Sequence, residues 1–353
     1  MKKILLLITR GEVGGAQMVV LQLAAELKKR GHHITVGVGA NTGTFLPEAL
    51  MSRGIRTIFL KHLGRTYNPF SAVAFYFEIK KLLARESYDV LHLHSSNTII
   101  AACAAWRVSH KPKILFTLHG LSFLHPAHRH ILKPFVWYAF KWCIPYMDEV
   151  IFVTRNDYDY ARAHGLVRHG TVIYNATTTT FFSRDEARAA LGLQLNEIVV
   201  GSIGRLAYPK NYEFFVRAMR RIPQATSIII GDGPERNHYL NRVRLTGELP
   251  DAARYLLAFD LFVLPSLYEG CSLTLIDALK AGIPILASNV GGNAEVVASP
   301  EQLFTVHDEE EFITKATAIL NNSDYAQQLG AENKKNGERF SLDTMMRGYT
   351  ALL

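Results

Sequence analysis

Two carboxylates and a small-residue turn carry the clearest chemical pattern in this chain. Glu269 and Asp277 are separated by seven residues, and Gly270-Cys271-Ser272-Leu273 lies between them. Glu269 sits in the polar turn Ser266 to Gly270, just past the apolar run Leu261 to Pro265. Ser272 to Ala281 has helical period, with Leu275, Ile276 and Leu279 on one face and Gly282 placed to stop it. The start of such a helix offers free N–H groups and a positive dipole end to an anion. The stretch therefore reads as a phosphate cradle flanked by two acids.

Three other sets could add to that chemistry. Arg205 and Lys210, in G-R-L-x-x-x-K-N, follow the apolar run opening at Ile198, where two cations suit a diphosphate. Surface cations are common, so their spacing alone does not decide the matter. His119, in Thr117-Leu118-His119-Gly120, ends a strand-like run and points toward a ligand crevice, although a lone His is more often structural. Gly14 and Gly15 precede a helical segment, where they either permit close backbone approach to a ligand or only make a tight turn. This loop is not G-x-G-x-x-G, and no acid closes the next strand, so a dinucleotide fingerprint is absent. Cys271 has no neighbouring base in sequence, and His92 and His94 are expected on opposite sides of a strand as structural residues.

These groups need a scaffold that brings strand ends together. Strand-like runs recur at 3–8, 34–38, 55–60, 90–94, 114–118, 150–153 and 172–174, separated by segments of helical length. A second set begins at Ile198 and includes 227–230, 242–245, 261–265 and 283–287. Such alternation of Val, Ile and Leu runs predicts doubly wound parallel sheets, which bind ligands at the carboxyl ends of their strands. A length of 353 residues suits two α/β domains, and 48% hydrophobic with 20% charged residues describes a globular chain. Met1-Lys2-Lys3 with Ile4 to Ile8 lacks the long apolar core of a signal peptide and is expected to be a buried strand. Three widely spaced cysteines make no metal or disulfide pattern, which suits a reducing cytoplasm.

Charge is divided unevenly. Residues 1–175 hold 22 Lys+Arg against 10 Asp+Glu, a balance of +12, whereas residues 176–353 balance at −4. An anionic partner is implied for the first half, and no nucleic-acid motif accompanies the charge. Residues 125–147 interleave basic residues with Phe135, Trp137, Tyr138, Phe140, Trp142 and Tyr146. That pattern suits either a membrane interface or a core-packing helix with a basic outer face.

The motif P-S-x-x-E-G-x-S-L-x-L-x-D-A-L-x-x-G-x-P-x-x-A-S resembles the nucleotide-sugar site of family 4 glycosyltransferases, retaining enzymes of the two-domain GT-B fold. Their signature is Glu, seven residues, Glu, and this chain departs from it with Asp277. The resemblance extends in order through Gly14-Gly15, His119, the linker-like Val172 to Ala176, Arg205 with Lys210, Glu269 with Asp277, and a terminal helix. It implies an acceptor domain over residues 1–176, a donor domain over 177–339, and a segment 340–353 crossing back. It further implies that His119 and the Gly14-Gly15 loop meet the donor sugar from the first domain, that Arg205 and Lys210 compensate the diphosphate, and that Glu269 and Asp277 bind sugar and ribose hydroxyls. Gly270, Cys271, Ser272 and Leu273 would form the phosphate cradle, and the strand around 242–247 would hold the base.

By this resemblance the chain transfers a sugar from a nucleoside diphosphate, with UDP favoured, to a lipid-linked or oligosaccharide acceptor in bacterial surface polysaccharide or lipopolysaccharide synthesis. No metal or other cofactor is expected. The implied location is cytoplasmic, peripheral on the anionic inner face of the plasma membrane. Two alternatives share the fold: a GT-B sugar-nucleotide epimerase, and a non-catalytic nucleotide-sugar-binding protein in which Asp277 marks a decayed site.

Overall fold

The computed structural model describes residues 1–64, 69–121 and 133–353, with only the backbone of Lys133. Arg129 and the side chain of Lys133, both in the basic aromatic stretch, lie outside the described residues. The chain divides into two compact units, Met1–Tyr174 with Met345–Leu353, and Asn175–Thr344.

The first unit alternates β1 (Lys3–Ile8), α1 (Gly15–Lys29), β2 (His33–Gly39), α2 (Phe45–Met51), β3 (Arg56–Leu60), α3 (Pro69–Arg85), β4 (Val90–Leu93), α4 (Ile100–Ala105), β5 (Lys113–Leu118), α5 (Lys133–Cys143), β6 (Glu149–Phe152), α6 (Arg155–Ala163) and β7 (Thr171–Val172). Among the described residues these strands make one sheet in the order β3-β2-β1-β4-β5-β6-β7. Every recorded pairing in it is parallel. Parallel strands are covered on both faces, so they need apolar side chains in both directions. Ile4 to Leu7 meet that need with no exposure at all. Strand order runs outward from β1 to β3 and then reverses to β4. Right-handed crossovers therefore put α1 and α2 on one face and α3, α4 and α5 on the other.

The second unit follows with α7 (Arg184–Leu191), β8 (Val199–Ile203), α8 (Tyr212–Met219), β9 (Thr226–Ile230), α9 (Arg236–Tyr239), β10 (Arg244–Gly247), β11 (Leu261–Leu264), α10 (Leu273–Ala281), β12 (Ile285–Ser288), α11 (Asn293–Val297), β13 (Leu303–Phe304), α12 (Glu309–Leu320) and α13 (Ser323–Gly337). Its sheet has the order β10-β9-β8-β11-β12-β13. Val200, Phe215, Leu261, Val263 and Phe312 fill its core, with Phe214 stacked on Phe304 at 5.3 Å between ring centroids.

The last helix, α14 (Leu342–Ala351), starts in the second unit, and Met345 onward groups with the first. Met345, Met346 and Tyr349 recur at helical spacing and are buried. Tyr349 packs on the His92 ring at 5.6 Å, and its hydroxyl lies 3.3 Å from Thr117 Oγ1. Gly348 leaves room for Ile173, whose side chain would stand 3.1 Å from an added Cβ.

Candidate active site

In the second sheet the order reverses between β8 and β11, and the loops after these two strands carry the expected diphosphate and acid residues. This is the switch-point crevice of a doubly wound fold. The loop after β8 carries Arg205, which is exposed, and Lys210, which is half-buried. The loop after β11 carries Glu269. Leu267 N–H donates to Pro209 O at 2.8 Å and Asn211 Nδ2 to Pro265 O at 3.1 Å, so the backbones of the two loops are tied together.

That tie brings Lys210 onto Glu269. Lys210 Nζ donates to Glu269 Oε1 at 2.7 Å, and Ser266 Oγ donates to the same oxygen at 2.6 Å. From the other side, Gly292 N–H donates to Glu269 O at 3.2 Å. A Cβ at Gly291, where φ is +51°, would stand 1.9 Å from Glu269 O. Only glycine permits this approach, so the loop after β12 fixes the height of Glu269. Sequence reasoning assigned Lys210 and Glu269 to different parts of the ligand; the structure makes them an ion pair. It also missed Ser266, whose only signal was a small polar residue at a strand end.

Ser272 is the N-cap of α10, and its Oγ accepts from Leu275 N–H at 3.4 Å. Gly282 takes the left-handed conformation at the other end, as its type predicts. Gly270, Cys271 and Ser272 are buried, and Leu273 is half-buried. Asn175 Nδ2 donates to Cys271 O at 2.9 Å, which holds this turn from the segment entering the unit. One turn into α10, Asp277 is 4% exposed, and its Oδ1 has no hydrogen-bond partner among the described residues. Burial raises its carboxyl to about 6, against the lowering influence of the Thr177 and Thr179 hydroxyls and Lys280. A buried acceptor without a partner is costly unless a ligand satisfies it.

The first unit holds Gly14, Gly15 and His119, again around a reversal of strand order, here between β1 and β4. Thr9 Oγ1 and Ser95 Oγ meet across that reversal at 2.6 Å. Gly11 is the glycine this turn demands, since a Cβ there would lie 2.2 Å from Gly43 O. An added Cβ on Gly15 meets nothing within 4 Å, so the chain's own packing does not require glycine at that position. At Gly14 it would meet the flexible end of Gln17 at 2.5 Å.

His119 follows β5 and is half-buried. Its Nε2 lies 3.1 Å from His94 Nδ1, and His92 Nε2 lies 2.8 Å from Thr117 Oγ1. The His92 and His94 rings are 4.0 Å apart, which corrects the expectation that they face opposite sides. Side chains alternate with a period of two, so residues i and i+2 share a face. Burial pushes all three imidazoles down, His92 to about 3, His119 to about 4, and His94 well below its usual range. The cluster is neutral at physiological pH. Among the described residues no three His, Cys, Asp or Glu side chains, these histidines included, are arranged so that they could hold a metal ion.

Residues 13–181 match Glycosyltransferase Family 4, and residues 197–322 match Glycosyl transferases group 1. The chain belongs to the family 4 glycosyltransferases of GT-B fold and is an enzyme that uses nucleotide sugars. Over 299 residues it is 27% identical to the UDP-Gal:alpha-D-GlcNAc-diphosphoundecaprenol alpha-1,3-galactosyltransferase of Escherichia coli, covering 76% of each chain. It is 24% identical over 366 residues to N-acetyl-alpha-D-glucosaminyl L-malate synthase of Bacillus anthracis, covering 96% and 93%. Among solved structures, sucrose-phosphate synthase from Thermosynechococcus elongatus superposes with a TM-score of 0.83 at 23% identity, covering 100% and 98%. Anabaena HepE, solved with UDP-glucose, gives 0.83 at 20% identity, covering 100% and 99%.

Proposed function

We propose that this enzyme is a retaining glycosyltransferase that moves a sugar from a UDP-sugar to a lipid-linked glycan acceptor during bacterial surface polysaccharide synthesis. The observation that carries the reading is the Lys210–Glu269 pair at the switch point, with Arg205 on the same loop as Lys210 and the α10 start one residue past Gly270-Cys271-Ser272. Departure of the diphosphate leaves oxocarbenium character at the anomeric carbon and negative charge on phosphate. Arg205, Lys210 and the α10 N–H groups stabilise that charge. Glu269 accepts hydroxyls of the sugar, and Asp277 accepts those of the ribose. His119, neutral and held by His94, is assigned to the donor sugar, and the open space at Gly15 to backbone approach by the donor. The acceptor adds to the face the diphosphate leaves, with a leaving-group oxygen taking its proton. Side chains and the helix start compensate the diphosphate in this reading, without a metal.

The E. coli relative's name joins a UDP-sugar to a diphosphoundecaprenol acceptor, which supports both halves of the proposal. No helix among the described residues is long and apolar enough to cross a membrane. We place the enzyme peripherally on the anionic inner face of the plasma membrane, where such an acceptor resides. The test is thermal stabilisation by a panel of UDP- and GDP-sugars, followed by incubation of the best donor with diphosphoundecaprenol-linked sugars. An α-sugar donor must give an α-linked product by NMR. Inverted product overturns the retaining assignment. Release of an epimerised sugar nucleotide without acceptor identifies an epimerase, and binding without turnover identifies a non-catalytic protein.

A further inference from the structure

The histidine cluster of the first unit contains one atom that the proposed reaction does not account for. His94 is 2% exposed, and its Nε2 is buried with no hydrogen-bond partner among the described residues. Its other nitrogen, Nδ1, lies 3.1 Å from His119 Nε2. The two ring centroids are 5.4 Å apart and the planes are inclined by 27°, so the rings meet edge to edge, as an N–H···N bond requires. The surrounding strands hold this contact in place. His94 follows β4, where its backbone N–H donates to Leu7 O at 2.9 Å, and the His92 ring packs beside it at 4.0 Å. His92 is fixed in turn by Thr117 Oγ1, on the strand that leads to His119.

A neutral imidazole has one N–H and one bare nitrogen, so two proton arrangements can make the bond between His94 and His119. Burial keeps both rings neutral. If His119 Nε2–H donates, His94 must carry its proton on Nε2. That choice buries an N–H with no acceptor and gives His119 a bare Nδ1. If His94 Nδ1–H donates, the unpaired buried atom is a bare nitrogen, and His119 must carry its own proton on Nδ1. An orphaned buried N–H is the rarer of these two defects in folded proteins. His119 Nδ1 pairs with no described residue, which leaves it as the edge for a ligand. The bond at one ring nitrogen sets the state of the other. We propose that His94 is a positioning residue for sugar transfer: it fixes His119 as the Nδ1–H tautomer, so that His119 donates a hydrogen bond to an oxygen of the donor sugar. His94, being buried, acts only through His119. The inference rests on the assignment of His119 to the donor sugar, and the first arm of its test needs no substrate.

Histidine ¹⁵N NMR spectra of the free, full-length enzyme at pH 7.5 read the tautomers directly, with signals assigned by their loss in His94→Asn and His119→Ala. Both rings should carry the proton on Nδ1. A proton on Nε2 of His119 overturns the proposal whether or not sugar is transferred, so its failure is distinct from failure of the transferase reading. The variants supply the second arm. His94→Asn offers an amide N–H close to the place of Nδ1, whereas His94→Phe keeps a ring but offers no donor. His94→Phe should lower kcat about tenfold, the scale of one misplaced hydrogen bond, with UDP affinity unchanged because UDP lacks the sugar. His94→Asn should stay within about threefold of wild type. In a His119→Ala background His94→Phe should cost nothing further, since a residue that acts through another has no effect once the other is gone. Equal losses in the Asn and Phe variants would make His94 structural and overturn the proposal, as would a Phe penalty that persists without His119.

Discussion

Removal of the Lys210 ammonium tests the site most directly, because Glu269 is its partner in the structure and the departing phosphate its partner in the proposed reaction. Without ligand it neutralises Glu269 at 2.7 Å, with the two side chains 20% and 13% exposed. During sugar transfer the same ammonium is assigned to the departing phosphate. Lys210→Ala therefore does two things: it leaves Glu269 half-buried without its cation, and it removes one stabiliser of the leaving group. Loss of one such stabiliser costs about 3 kcal/mol in the transition state, roughly a hundredfold in kcat. Uncovering Glu269 costs folding stability on the order of 1–3 kcal/mol, because a partly buried charge has lost its partner. A double-mutant cycle with Glu269→Gln separates the two effects. The double variant should recover stability, since no bare carboxylate remains, but not turnover. The assay is UDP release from the donor that gives the largest thermal shift, read beside urea denaturation. Turnover of Lys210→Ala within about threefold of wild type refutes the assignment. Recovery of turnover in the double variant would show that Lys210 serves only to hold Glu269.

Other outcomes follow from the titrating groups and the anion cradle. The Asp277 carboxyl sits near 6, above its ordinary 3.8, so the folded chain favours its protonated form and loses stability as pH rises from about 4 to 6. Asp277→Asn should then be more stable than wild type at pH 7.5, by up to about 3 kcal/mol, while binding UDP more weakly in calorimetry. Unchanged UDP affinity would remove Asp277 from the site. His92 and His119 are depressed to about 3 and 4, so their stabilising effect is present above the ordinary value of 6.5 and lost as pH falls toward 4. Urea midpoints at pH 7 and 5 should differ in wild type and differ less in His92→Gln; equal slopes would place the acid sensitivity elsewhere. Chelation by EDTA should leave donor hydrolysis unchanged, and a loss restored by magnesium would overturn the assignment of the diphosphate charge to side chains.

The sheets were legible because a parallel strand buried on both faces must read as a run of apolar residues, as Ile4 to Ile8 and Leu261 to Leu264 do. Helix α10 was legible for a different reason, since Ser272 and Gly282 each mark an end by their own backbone chemistry. The Lys210–Glu269 pair was not, because its partners lie 59 residues apart and meet through the loop ties at Pro209 and Pro265. The pairing of His92 with His94 was misread through a slip in strand periodicity. In the aromatic stretch Phe140 packs inward, as the core-packing reading expects, while Tyr138 and Trp142 point outward, so one run of aromatic residues serves two faces of a helix.

The placement of Met345–Leu353 in the first unit has a consequence for the order of synthesis. Residues 1–174 leave the ribosome first, yet Met345, Met346 and Tyr349 emerge only after the whole second unit has been made. Until then, His92, Thr117 and Ile173 lack the helix that covers them. The older half of the nascent chain must therefore wait, with part of its surface open, for the last segment to arrive. A translational stall or premature stop late in the message would damage the half encoded at its beginning.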